Sequence, residues 1–168
     1  MKISDTLLPE FDLETATTRK CLARIPNDKF SFKPHPKSFD MGALAVHIAT
    51  MLDWGASTLE TESFDYAPVG GSSYVPPAAK TNAELLALFD SGSAKLRAAL
   101  AAAEDATMMA NWSLLAGGKT IFTMPRVAVL RSMIFNHVVH HRGQLSVYLR
   151  LCDIPVPSIY GPSADEAN

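Results

Sequence analysis

The sequence predicts an all-α fold, a four-helix bundle with long connecting loops, and three observations carry that expectation. Four stretches of roughly 19 to 28 residues have the apolar spacing of amphipathic helices. Clusters of proline, glycine and short polar residues separate them. No convincing strand-rich region and no internal repeat interrupts the pattern, so a two-layer α+β alternative has little to build on.

The first helix is expected from Asp5 to Ala23 and ends before Pro26. Its Pro9 requires a helix that begins close by, because proline lacks the amide donor needed deeper inside. Residues 29–37 hold two prolines and His35 and read as loop. Asp40 is the natural N-cap of a second helix over Met41–Glu60. Residues 62–80 collect Gly70, Gly71, Pro76 and Pro77 and form a long connection. Thr81-Asn82-Ala83-Glu84 is a capping-box signature, in which hydroxyl and carboxylate satisfy each other's backbone donors, and the third helix follows to Ala103. Residues 105–123, with Gly117-Gly118, read as a loose hairpin or loop. Pro125 suits the first turn of a fourth helix that runs to Cys152. Pro155 and Pro157 forbid its continuation, leaving the tail as extended coil.

A chain of 168 residues suits one domain, 1–168, with a core that needs no disulfide. Apolar residues at 48% against 19% charged exclude a disordered chain. Fifteen Lys and Arg against 17 Asp and Glu leave a net charge of -2, with no electrostatic footprint for nucleic acid. Cys21 and Cys152 lack CxxC spacing and read as reduced thiols. The acidic N-terminal stretch lacks a signal-peptide core, and no apolar run is long enough for a membrane. A soluble, cytoplasmic protein is expected.

Function points to the segment Asn136-His137-Val138-Val139-His140-His141-Arg142-Gly143-Gln144. Residues four apart stack on one helix face, so His137 and His141 can hold one metal ion between them. On a regular helix Leu130, Ile134, His141, Leu145 and Tyr148 fall within about 80° of His137, which puts the pair in the apolar stripe. His140 lies about 60° to the other side, and Gln144 only about 20° from His137. Arg142 is expected to project outward. On the second helix His47 shares a stripe with Leu44, Met51, Trp54 and Thr58, while Asp53 points away.

A lone inward histidine is more often a hydrogen-bonded core residue than a ligand. Two neutral imidazoles in a core, however, need four polar partners, and Gln144 plus backbone supplies few. Facing helices that each contribute imidazole are a common way to build a metal site in a bundle. Three such ligands leave the fourth position of a tetrahedral ion open to water or substrate, the catalytic type of site. Zinc fits three nitrogens best, while nickel, iron or copper also accept imidazole. Val138 follows the first histidine where a zincin peptidase carries its glutamate base, so that chemistry is not expected. No GxSxG, P-loop or GxGxxG occurs.

The run His137-Val138-Val139-His140-His141-Arg142-Gly143-Gln144-Leu145, followed by Tyr148-Leu149-Arg150, resembles the C-terminal helix motif of the DinB family in the DinB/YfiT-like superfamily. The likeness extends to residues 155–166, to Thr17-Thr18-Arg19, to residues 33–38 and to residues 44–49. It implies an up-down four-helix bundle, often a homodimer, with a divalent metal on His47, His137 and His141. His140 matches the extra family histidine that is not a ligand. Characterised relatives in the superfamily include transferases and isomerases that use bacillithiol or mycothiol. The implied chemistry is a metal-bound low-molecular-weight thiol attacking an electrophilic small-molecule substrate.

Gln144, His140 and Tyr160 are the candidates for supporting roles, Tyr160 as a residue that could fold back over the site. His35 reads as an exposed or capping histidine, with the family likeness favouring the pocket rim. Trp54 and Tyr148 read as core or pocket wall. Three functions compete: a metal-dependent thiol S-transferase or hydrolase, a non-catalytic metal-stabilised stress or binding protein, and direct DNA binding, which the charge balance disfavours.

Overall fold

The computed structural model describes residues 1–166. Among them the chain is predominantly helical: α1 (Ile3–Ala23), α2 (Met41–Glu60), α3 (Asn82–Ala102), a short α4 (Asp105–Met109), α5 (Arg126–Val129) and α6 (Asn136–Leu151). A π-helical turn, Leu130–Phe135, joins α5 to α6, and helical backbone angles on both sides make them one composite rod. No helix among the described residues is long and apolar enough to cross a membrane.

The N-cap signals act as expected. Asp40 accepts from the Ala43 amide at 2.7 Å, and Thr81 accepts from the Glu84 amide at 3.2 Å. The Glu84 carboxylate reaches the Lys80 amide instead of completing a reciprocal box on Thr81. α1 begins at Ile3, so Pro9 stands in its second turn.

The expectation of an all-α chain needs correction. Residues 105–125 form α4 and then a hairpin of β2 (Asn111–Ala116) and β3 (Lys119–Pro125). Gly117 and Gly118 turn it with φ of 60° and 74°, the pair of positive values a tight hairpin requires. A third strand, β1 (Ser63–Asp65), pairs parallel to β2, in the order β1-β2-β3. The strands are too short and irregular for alternation to stand out, yet Trp112, Leu114, Phe122 and Met124 keep period 2. Pro125 ends β3 and caps α5, one residue earlier than the helical position expected of it.

One core cluster draws on all four long rods, with Leu22, Ile48, Leu96 and Leu145 fully buried. α3 packs on α1 and α2, and α6 packs on the same two helices. The extensively packed pairs therefore run α1-α3-α2-α6, which is not the sequential neighbour order of the simplest up-down arrangement. Gly92 allows the α2–α3 approach: a Cβ there would sit 3.2 Å from Leu52 Cβ and 3.5 Å from the Ala49 carbonyl. Arg126, also buried, donates to the Thr58 and Thr61 carbonyls at 2.9 and 2.8 Å, satisfying the end of α2 and docking the start of the rod there.

Arg142 overturns the expected outward projection. It is 1% exposed, ion-paired to Glu14 at 2.7 Å and bonded to Thr18 Oγ1 at 3.1 Å. Tyr160 of the tail completes the network, at 2.5 Å from Arg142 and 2.9 Å from Glu14. The tail is irregular but tied down, with Asp165 on Arg150 and the Val156 amide, and Glu166 on Arg24 and the Ser158 amide. Arg142→Ala should leave Glu14 half-desolvated and cost about 3–5 kcal/mol in urea denaturation. Tyr160→Phe, which removes one neutral hydroxyl, should cost about 1 kcal/mol.

Candidate metal centre

α2 and α6 each bring imidazole to one point. The ring centroids of His47, His137 and His141 lie 4.6 to 5.2 Å apart, and their ligand atoms lie within 4.8 Å of one another. His47 Nε2 and His137 Nε2 are 3.4 Å apart, the edge expected of a tetrahedron with metal–nitrogen bonds of about 2.0–2.1 Å. The group could hold a divalent metal ion.

Bonds to the outer nitrogens decide which inner nitrogens are free. His141 Nδ1–H donates to Gln144 Oε1 at 2.7 Å, and His137 Nδ1–H donates to the Met133 carbonyl at 3.2 Å. Both oxygens only accept, so both rings carry their proton on Nδ1 and turn an unprotonated Nε2 inward. One proton on His47 could serve only one of those two lone pairs. At least one inward lone pair is left without a proton, and the set fits a cation.

The π turn explains where the pair sits. Its i→i+5 bonds, as from the Asn136 amide to the Arg131 carbonyl, rotate α6 relative to α5. A constant 100° step carried across this turn misplaces the faces. In α6 the buried residues are Val138, Arg142, Leu145 and Leu149, a stripe centred about 110° from His137. The expectation that the histidine pair lies within the apolar stripe is therefore corrected: both rings sit at its margin, half-buried, and His137 borders an open cavity.

The remaining candidates separate cleanly. His140 is exposed, its ring centroid 4.8 Å from that of His141. Tyr160 does not fold over the site but binds Arg142 and Glu14 on the α1 side of α6. His35 is exposed and accepts from the Lys37 amide, a local turn bond. Asp53 pairs with Lys95, away from the imidazoles. The sequence did not single out Phe39, whose ring lies 5.9 Å from His47, or the sheet residues Trp112, Leu114 and Phe122. With Trp54, Val129 and Ile134 these enclose a cavity of about 470 Å³ that begins at His47 and His137. Apolar residues at i, i+2 on both sides of Gly117-Gly118 are the signal that could have found the sheet wall.

These features describe a helical scaffold with an open three-imidazole centre. The DinB family model matches residues 1–168, and the chain belongs to the DinB family. It is 26% identical over 164 residues to the uncharacterized protein YrdA of Bacillus subtilis (strain 168), covering 96% of this chain and 90% of that one. A DinB-like protein from Bacillus cereus ATCC 10987 has the same fold at a TM-score of 0.70 and 22% identity, over 95% of this chain and 98% of that one. The DinB-like YjoA of Bacillus subtilis matches at a TM-score of 0.70 and 18% identity, over 97% and 99%.

Burial, reinforced by charge on His141 and His137, pushes the His47 imidazole down to about 4 from 6.5. The unfolded chain therefore binds more protons between those values. Without metal, this contribution to stability is intact above about pH 6.5 and is lost as pH falls toward about 4. Urea midpoints of chelator-treated protein should drop across that window, and His47→Leu should flatten the drop.

Proposed function

We propose that this protein is a divalent-metal-dependent enzyme that binds zinc or nickel through His47, His137 and His141. The observation that carries the proposal is the convergence of three imidazoles with too few protons among their inward nitrogens. A bound ion would supply Lewis-acid activation of a water or a thiol at its open position. Gln144 and the Met133 carbonyl hold the two α6 rings in the ligating tautomer. A low-molecular-weight thiol as co-substrate, with an electrophilic partner, is the reaction class we favour, in a four-helix-bundle scaffold that pairs as a homodimer.

One observation favours a second reading, a metal-stabilised binding or stress protein. Among the described residues the cavity wall carries no carboxylate, lysine or cysteine to move protons. Assays of the loaded protein with thiols and electrophiles separate the two, because turnover excludes a purely structural ion.

Zinc or nickel at a hundredfold excess over Kd should raise the melting temperature by about 5–10 °C. Alanine at His47, His137 or His141 should abolish that shift, and no shift in the native chain would sink the proposal. Gln144→Ala should weaken metal binding about 10- to 100-fold in calorimetry, with the unliganded protein still folded.

A further inference from the structure

We infer that the cavity beside the imidazoles receives an uncharged small molecule with an aryl or alkyl body and one metal-binding heteroatom. This assignment of substrate class rests on the metal centre proposed above. It starts from α2, which is apolar on two faces. Leu44, Ile48 and Leu52 face the common core, whereas Ala43, Val46, Thr50 and Trp54 face the cavity. A second apolar face must be covered, and here no helix covers it. The three-stranded sheet and the loop bearing Tyr74 and Pro76 stand over it, leaving about 470 Å³. That volume lies in the range of small-molecule sites, about 300–1,000 Å³.

The walls select against polarity. Among the described residues no charged side chain lines the space, so an ionic ligand would find no counter-charge there. Thr50 and Thr58 give their hydroxyl protons to the His47 and Trp54 carbonyls of their own helix, and Trp112 Nε1–H goes to Thr61. Apart from the Tyr74 hydroxyl, the donors of these wall side chains are thus committed, and the Thr50 and Thr58 oxygens keep only acceptor capacity. A hydroxyl-rich body would give up more hydration there than these few acceptors replace. The edge-to-face contact of Trp54 with Tyr74, at 5.4 Å between centroids, shapes that side of the cavity for flat or extended apolar groups.

Trp54 and Trp112 are the chain's two tryptophans and both line the cavity, so intrinsic fluorescence reads its occupancy. Zinc-loaded protein is titrated with straight-chain thiols from ethanethiol to octanethiol, and with 2-mercaptoethanesulfonate as a charged thiol. Zinc uptake is followed separately by calorimetry. Affinity should rise about fourfold per methylene until the space is filled, with quenching of tryptophan emission. The sulfonate should leave the emission unchanged. Leu114→Glu should weaken octanethiol at least about tenfold with zinc uptake retained. Leu114→Phe, a milder change that keeps the sheet apolar, should shorten the chain length at which the rise stops. Affinity independent of chain length in protein that does hold zinc would overturn the substrate class and leave the metal centre standing. Failure to take up zinc would overturn the metal centre, and with it the heteroatom requirement.

Discussion

Imidazole lone pairs that face one another across 3.4 Å need a proton or a cation between them. In this protein the Nδ1 protons of His137 and His141 are committed to Met133 and Gln144, so neither ring can supply one. Burial also makes His47 reluctant to take up a second proton. The neighbouring architecture serves to hold this arrangement, which by its chemistry favours a divalent ion over a network of neutral hydrogen bonds.

Two buried arginines brace the rod that carries the pair. Arg126 locks its beginning to the terminal carbonyls of α2, the helix that supplies His47. Arg142, one residue beyond His141, locks its middle to α1 through Glu14 and Thr18. Between these anchors the π turn sets the rotation of α6, so that its apolar stripe meets α1 and α2 while the histidines stay at the margin. A pair at the centre of the stripe would be sealed in the core. At the margin His137 borders a cavity, so the three imidazoles are not sealed in the core.

The sheet gives that cavity its far wall. Its three short strands are built from the two long connections of the chain, and Asp65 ties β1 to the hairpin by accepting from the Gly117 and Gly118 amides at 3.0 and 2.7 Å. The segments that looked like filler between helices are thus the ones that enclose space.

Much of this was legible before any coordinates. Helix-forming stretches, the caps at Asp40 and Thr81, the i, i+4 spacing of His137 and His141, the candidacy of His47 and the family likeness all follow from local patterns. Backbone sterics and capping act within a few residues, so a linear reading reaches them. The outward Arg142, the overlying Tyr160 and the missing third strand were misread because long-range partners decide them. Glu14 is distant in sequence from Arg142, Ser63 pairs with Ser113, and a single π turn shifts every later face of its helix. Which residue types could bind a metal was written locally. Whether their nitrogens meet, and beside what kind of space, depended on packing between elements far apart in the chain.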